Sequence, residues 1–291
     1  MLAYYYKQVK LDHFYMKSTP QDFVERSNVR GFLAIFRDWA IIFSAAGISI
    51  WLDNVFVYVL SAIMIGCMQF SLGEALLHEA THQNLFKNKK WNTRFEFLFA
   101  YPVLVSIAQY EPEHLDHHNY QDTERDHIPR DYEYYGLNKP NKNLFWIWFA
   151  KPILGFSGYF YTRFVICLKP GKGALKILSL WIPVLGIFTY FDALPILLWY
   201  WVVPMFVIFP CFIYWSEIAD HYNTKSGSRT RTGKVLNFLH HNNGYHHVHH
   251  TYPTIPWYNL PEANKILCPK DVDVSTSIVD TFRQLISSKS N

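Results

Sequence analysis

Charged residues are scarce in this chain of 291 residues. Asp, Glu, Lys and Arg make up 17% of the sequence, whereas soluble domains carry about 25%. This shortage excludes a disordered or acidic-tail protein. The apolar residues, 50% of the total, are grouped in long uncharged runs rather than spaced along one face of amphipathic helices. The sequence therefore predicts a membrane protein.

Paired cysteines and a basic stripe are also missing. The four cysteines are far apart and form no C-x-x-C motif, which excludes a disulfide framework and a cysteine-ligated zinc or iron–sulfur site. The formal charge of +4 is too small and too scattered for a nucleic-acid surface. We therefore expect no nucleic-acid partner and four reduced thiols, at Cys67, Cys167, Cys211 and Cys268.

The N-terminal segment lacks the basic stretch, the apolar core and the small-residue site of a cleaved signal peptide. We expect a single membrane domain over residues 1–291. Its parts are a cytosolic N-terminal segment (1–30), a first transmembrane hairpin (31–77), a cytosolic or interfacial segment (78–173), a second hairpin (174–216) and a cytosolic C-terminal segment (217–291).

Four apolar runs are long enough to cross a bilayer. Residues 55–73 contain 19 uncharged residues, about the number needed for a hydrocarbon core about 30 Å thick. The other runs are 31–52, with Arg37 and Asp38 expected at the interface, 174–191, with Lys176 reaching to the interface, and 193–216. The pattern predicts an all-α integral membrane fold in which two helical hairpins carry a cytosolic helical cap.

The connections within the two hairpins, Asp53–Asn54 and Asp192, contain none of the 27 lysines and arginines. The positive-inside rule therefore places both connections outside and both termini in the cytosol. Two further apolar stretches, 97–110 and 144–168, are interrupted by proline or charge. We expect them to be interfacial or re-entrant helices, because a single extra crossing would separate the histidine motifs on either side of the bilayer.

Nine of the 14 histidines occur in compact groups. Residues 78–82 read HEATH, residues 114–118 read HLDHH and residues 246–250 read HHVHH. On a helix, positions i, i+3 and i+4 project from one side. The HEATH pair alone is equally typical of helix capping, but two H-x-x-H-H motifs indicate metal binding, since neutral imidazole is the commonest metal ligand. His221, about one turn beyond the fourth run, is a further candidate.

The histidines outnumber the four ligands usual for zinc and the six of an octahedral ion, so two metal ions are predicted. Nitrogen ligands without thiolates suit iron, zinc, copper or nickel, and iron is favoured only for dioxygen chemistry. The other histidines are expected at surface or supporting positions. They are His13, His127, His240, His241 and His247.

Two other functional classes compete with this interpretation. Residues 78–82 match H-E-x-x-H, the zinc-protease signature in which Glu79 would be the general base. A protease needs one further ligand and leaves both H-x-x-H-H motifs unexplained. A membrane metal transporter would place its ligands near the middle of the bilayer rather than at the helix ends.

At these motifs the sequence resembles the membrane fatty acid desaturase and hydroxylase superfamily of non-haem di-iron oxygenases. The likeness covers most of residues 31–265 and includes HEATHQNLFKN, EHLDHHNYQDTERD, SEIADH, RTRT and HHVHHTYPTIPWYNLP. It implies an oxidoreductase that uses two iron ions and dioxygen at the cytosolic membrane surface. The implied reaction attacks a C–H bond of a lipid or fatty acyl chain.

The resemblance implies nine iron ligands in this chain. They are His78, His82, His114, His117, His118, His221, His246, His249 and His250. Some relatives have an asparagine one turn before the ninth histidine, where this chain has Glu217, which could bind metal directly, through water, or support His221. Further candidates for supporting positions are Glu74, Asp116, Asp220 and Asn243.

Desaturation, hydroxylation and carotenoid-type ketolation share this ligand set, and we expect a desaturase first. No haem or iron–sulfur signature is present in the sequence, so the electrons must come from a separate protein of the ferredoxin, rubredoxin or cytochrome b5 type. Basic residues near the motifs are candidates for docking an acidic donor. They are Lys87, Lys89, Lys90 and Arg231.

Overall fold

The computed structural model describes residues 19–167 and 171–287, and most of this part of the chain is helical. The helices in chain order are α1 (Asn28–Leu52), α2 (Val55–Thr81), α3 (Lys89–Arg94), α4 (Ile107–Asn119), α5 (His127–Tyr135), α6 (Ser157–Cys167), α7 (Gly173–Tyr190), α8 (Leu194–His221), α9 (Lys234–Leu239), α10 (His246–Thr251), α11 (Leu260–Leu267) and α12 (Ile278–Ile286). Helices α1, α2, α7 and α8 are long and apolar enough to cross a membrane. The prediction of four such helices is confirmed.

The connection between α1 and α2 follows from its two polar residues. Asp53 ends α1 in the left-handed conformation, with φ of 43°, which aspartate tolerates better than most residues. The side chain of Asn54 then accepts hydrogen bonds from the backbone N–H groups of Phe56 and Val57 and caps α2. The chain therefore reverses within two residues, and α1 packs along α2.

The long helices expose large apolar side chains on their outer faces. Phe36 is 71% exposed, Trp51 81%, Phe56 77% and Ile182 65%. A monomeric soluble protein rarely presents so much contiguous apolar surface to water. The inner faces pack into a core that includes Ile65, which is fully buried. These four helices therefore have the surface expected for contact with lipid.

The charged residues within the first and third apolar runs pair with buried carboxylates or with a histidine. Asp38 is fully buried and accepts hydrogen bonds from Arg37 and from the His241 ring. Lys176 lies 2.7 Å from a carboxylate oxygen of buried Glu96. Asp38 is thus enclosed by the protein, since a buried carboxylate needs partners that the segment before α10 supplies.

The two interrupted apolar stretches form short, broken helical pieces. Turns of 3-10 helix at Glu96–Leu98 and Tyr101–Val103 precede α4. The backbone carbonyls of residues 101–103 accept hydrogen bonds from the side chains of Trp181, Trp201 and Tyr161. Irregular backbone among apolar helices needs such partners, because no water is available there. These bonds hold the segment between the long helices.

The second stretch consists of π-helical turns at Trp146–Ala150 and Pro152–Phe156, followed by α6. Gly155, with φ of 98°, interrupts the helical backbone within the second of these turns. The described fold also contains a small parallel sheet, in which β1 (Arg229–Arg231) pairs with β2 (Asp273–Ser275) in the register Thr230 to Val274. The all-α prediction missed this sheet, because three-residue strands leave no period-two pattern to read.

We expect Gly158→Ala to lower thermal stability, because α6 approaches α8 most closely at this glycine. A methyl group there would collide with the backbone carbonyl oxygen of Phe206. Overpacking of this kind typically costs about 1–3 kcal/mol. Gly47→Ala is the matched control, since nothing lies within 4 Å of its added carbon. Equal melting temperatures for the two variants in detergent would contradict the close approach.

Candidate metal centre

The three histidine motifs and His221 meet at one end of the long helices. The first motif ends α2, the second lies in α4, the third forms α10, and His221 ends α8. Each motif is helical, so its ring nitrogens point to one side, as the spacing predicts. The structure brings all nine rings together in two groups.

The first group contains five histidines whose possible ligand nitrogens all lie within 4.8 Å of one another. Its members are His78, His82, His114, His118 and His249. The Nε2 atoms of His78 and His249 are 2.5 Å apart, and those of His82 and His114 are 2.8 Å apart. Two i, i+4 pairs from α2 and α4 therefore face a single histidine of α10.

The second group contains four histidines under the same distance limit. Its members are His117, His221, His246 and His250. Nε2 of His221 lies 3.1 Å from that of His117 and 2.8 Å from that of His246. Each H-x-x-H-H motif therefore gives its i, i+4 pair to one group and its middle histidine to the other.

The spacing of these nitrogens fits one ion in each group. Two imidazole nitrogens about 2.0–2.1 Å from the same ion and at right angles to each other lie roughly 3 Å apart. The neighbouring Nε2 atoms of the two groups are 2.5–3.3 Å apart. Nitrogen donors without thiolates suit iron, zinc, copper or nickel. The two groups could thus hold two transition-metal ions.

Burial keeps these rings neutral. The exposed fraction is 7% for His114 and 3% for His249. Burial lowers the pKa of His82 to about 4. Burial, and then the neighbouring imidazoles, lowers the pKa of His118 to about 2. Neutral imidazole has a free lone pair, so the rings are in the form that binds metal at neutral pH.

Two of the rings are oriented through their second nitrogen. Nδ1 of His117 lies 2.9 Å from a carboxylate oxygen of buried Asp126, and Nδ1 of His221 lies 3.1 Å from the carbonyl oxygen of Gly227. Burial alone would raise the pKa of Asp126, but the hydrogen bonds from His117 and from backbone N–H groups lower it overall. Such partners fix the tautomer and direct Nε2 toward the centre of the group.

Sequence reasoning missed Asp126. It lies nine positions after His117 on the loop before α5, outside the helical motif. The only sequence signal for Asp126 was that it ends the segment EHLDHHNYQDTERD, which is part of the family resemblance.

The residues predicted to support the metal ligands have other partners. The Glu74 carboxylate accepts a hydrogen bond from the Tyr110 hydroxyl, and Glu217 accepts one from Tyr135. The remaining three pair as follows: Asp116 with Arg125, Asp220 with Arg231 and Ser216, and Asn243 with Ser216. Neither Glu217 nor Glu74 belongs to either histidine group.

The other histidines lie outside the two groups. Nδ1 of His127 is 2.8 Å from Asp131. Burial alone would lower the pKa of His127, but the Asp131 hydrogen bond and the Glu217 charge raise it to about 9. The ring partners of the remaining three are Cys67 for His240, Asp38 for His241 and Ser228 for His247. His13 lies outside the described residues.

Glu79 points away from the histidines. Its carboxylate is buried and accepts a hydrogen bond from the backbone N–H of Trp257 at 3.1 Å. This contact ties α2 to the segment that follows α10. Glu79 therefore does not occupy the position that the general base needs in an H-E-x-x-H protease.

A cavity of about 490 Å³ adjoins the histidines. Its wall includes His78 and His114 of the first group and His117, His221 and His246 of the second. The rest of the wall mixes aromatic side chains with several acidic ones. A molecule in this cavity would contact the rings of both groups.

Comparisons with known proteins agree with this geometry. A family model described as fatty acid desaturase matches residues 53–279. The dihydrorhizobitoxine desaturase of Bradyrhizobium elkanii is 30% identical over 82% of this chain and 75% of its own length. A sphingolipid delta(4)-desaturase of Xenopus tropicalis is 31% identical over 69% of this chain and 62% of its own length. A human sphingolipid delta(4)-desaturase/C4-monooxygenase is 29% identical over 69% of this chain and 62% of its own length. The chain thus spans less than two thirds of the two sphingolipid relatives.

We expect Asp126→Asn to weaken metal retention, because the neutral amide oxygen is a weaker hydrogen-bond acceptor for the His117 Nδ1–H group than the carboxylate is. Loss of such a partner typically costs about 10–100-fold in metal affinity. The measurement is bound metal per chain after dialysis against increasing concentrations of a chelator. The control is Asp116→Asn, which removes an exposed pair with Arg125. Identical retention curves for the two variants would show that Asp126 does not support the site.

Proposed function

Because this chain belongs to the fatty acid desaturase family and is an oxidoreductase, we propose that it is an O2-dependent, di-iron membrane enzyme that introduces a carbon–carbon double bond into a lipid or fatty acyl chain. The observation that carries the proposal is the convergence of nine buried or half-buried histidines into two adjacent groups beside one cavity. Removal of hydrogen from a mid-chain methylene needs an oxidant that no amino-acid side chain provides.

The two histidine groups are the proposed iron ligands. Iron bound there would supply the activation of dioxygen that breaks an unactivated C–H bond. The reaction balances when one dioxygen accepts two hydrogens from the chain together with two electrons and two protons, giving two waters. A separate reductant must therefore deliver two electrons for each double bond.

The work of the chain itself is binding and orientation. Neutral Nε2 atoms face the metal positions, while Asp126 and Gly227 hold the protons of His117 and His221 on the opposite ring nitrogens. The cavity brings the substrate against the rings of both groups. Fixed geometry matters because the outcome of the reaction depends on small displacements of the reacting carbon.

The proposed reductant is an external protein of the ferredoxin, rubredoxin or cytochrome b5 type. Lys87, Lys89 and Lys90 are exposed beside the end of α2 and suit an acidic partner. Arg231 does not belong to this surface, because its side chain is 18% exposed and lies 2.7 Å from Asp220. We place the metal centre and both termini in the cytosol, with residues 1–291 forming one membrane domain, on the charge asymmetry of the connections.

Hydroxylation is the second candidate, and one observation favours it. The name of the human relative joins a desaturase activity with a C4-monooxygenase activity. The two outcomes differ in whether an oxygen atom stays on the carbon chain. A zinc protease is disfavoured because Glu79 is bound to the Trp257 backbone.

We expect expression of the chain in a host with a suitable reductant to produce lipids that lack two hydrogens, detected by mass spectrometry. His249→Ala should abolish the product, because His249 joins the first group through His78 and His118. His247→Ala is the matched control, since its ring bonds Ser228 outside both groups. Products that gain one oxygen would identify the reaction as hydroxylation and not desaturation. Equal activity of the two variants would show that the histidine centre takes no part in the reaction.

A further inference from the structure

The cavity beside the histidine groups is unusually acidic for a pocket that would hold only methylene groups. Carboxylates on its wall come from α2, α4, α5 and α8. They belong to Glu74, Glu113, Asp131, Glu217 and Asp220. A bare hydrocarbon chain offers no hydrogen bond to such groups, and burying an unpaired carboxylate against it is unfavourable. The polarity of the wall therefore indicates which polar groups the substrate carries, and the family resemblance does not specify these groups.

Most of these carboxylates have a cationic partner. Glu113 lies 2.8 Å from Arg130, and Asp131 lies 2.8 Å from His127. Asp220 likewise pairs with Arg231. These three are accounted for by contacts within the protein, so they do not require a ligand.

Glu74 and Glu217 differ from the others. Each accepts a hydrogen bond from one tyrosine hydroxyl, Tyr110 at 2.7 Å and Tyr135 at 2.9 Å. Neither has a cation within ion-pair distance among residues 19–167 and 171–287. The second oxygen of Glu217, Oε1, is buried and has no hydrogen-bond partner in the described part of the chain. A carboxylate accepts about four hydrogen bonds, so both groups retain capacity for a ligand.

The position of these two carboxylates relates them to the reacting centre. Glu74 precedes His78 by one helical turn in α2, and Glu217 precedes His221 by one turn in α8. Residues four apart lie on the same helix face, about 6 Å apart along the axis. A group bound between the carboxylates would therefore lie within a few carbon atoms of a carbon held at the histidines.

The cations of the cavity wall are His127, which pairs with Asp131, and two exposed arginines. Arg163 is exposed, with its guanidinium 5.6 Å from the ring centre of Tyr134, and Arg130 is exposed beside Glu113. The two acceptors thus lie one turn from the histidines, whereas both arginines are exposed. A substrate carboxylate or phosphate placed at Glu217 would meet like charge.

We infer that the substrate carries a hydrogen-bond donor, an ammonium or a hydroxyl group, a few carbons from the reacting C–H bond, and that Glu217 and Glu74 bind it. This inference rests on the proposed function and narrows its substrate class. Glu217 is the main determinant, because its second oxygen has no hydrogen-bond partner in the described part of the chain. The donor fixes which carbons face the histidines, so it sets the position of the double bond.

The test measures equilibrium binding of three saturated probes of equal chain length to the purified full-length protein in detergent. The probes are a long-chain amino diol, the diol without the amine, and the methyl ester, which only accepts hydrogen bonds. We expect a probe with donors to bind at least about tenfold more tightly than the ester, the difference expected for a hydrogen bond to a charged group. A preference for the amino diol over the diol identifies the ammonium, and equal binding identifies the hydroxyl.

Glu217→Gln should remove the advantage of the donor probes and leave ester binding unchanged. Glu74→Gln should reduce the advantage by a smaller factor. Glu133→Gln, an exposed glutamate of α5 outside the cavity wall, is the matched control. Unchanged ester binding also shows that the variants are folded.

Three results would overturn the inference. They are equal binding of the ester and the donor probes, an equal loss of all three probes in Glu217→Gln, and a loss of bound iron in that variant, which would make Glu217 a metal residue. Iron content and product formation by the unmodified protein test the proposed function separately. If the protein holds iron and oxidises plain acyl chains with no preference for a donor group, the proposed function stands and this inference is wrong.

Discussion

The fold depends on holding nine imidazole rings, contributed by separate helices, with their nitrogens facing one another. Protonated rings could not be buried so close together, because each charge would lose its hydration beside like charges. Neutral rings direct lone pairs at one another and gain a favourable partner only from a shared proton or a cation. The helices must therefore be positioned by contacts outside the two groups.

Buried polar contacts provide this positioning. Asp38 of α1 bonds His241, which lies in the turn that precedes α10, and Glu79 of α2 bonds the backbone at Trp257, which follows α10. The third motif is thereby attached to both helices of the first pair. On the other side, Arg231 in β1 reaches Asp220, the residue next to His221 in α8. Removing one member of a buried charged pair is costly, so these contacts lock the motifs in place.

The sequence was most informative where a feature is local. The limits of the apolar runs agree closely with the four long helices, with two exceptions. α2 continues from residue 73 to Thr81, because the HEATH motif prolongs the same helix, and α8 continues from residue 216 to His221. The i, i+3 and i+4 spacing also predicted which side of each motif is shared. Both features follow from helical periodicity, which acts over a few residues.

Long-range pairing could not be read in the same way. The division of the histidines into five and four depends on how α4 and α10 face each other. Asp126, the burial of Asp38 and the pairing of Arg231 with Asp220 depend on contacts between distant segments, as does the β1–β2 pair. A single sequence holds no spacing rule for such contacts, so Arg231 was placed on a docking surface that it does not reach.

The most direct test of the account is the metal content of the purified full-length protein after reconstitution with ferrous iron, measured by elemental analysis. Two histidine groups predict about two iron atoms per chain, since five and four nitrogen donors suit one ion each. One tightly held zinc ion per chain, with no capacity for a second metal, would contradict it.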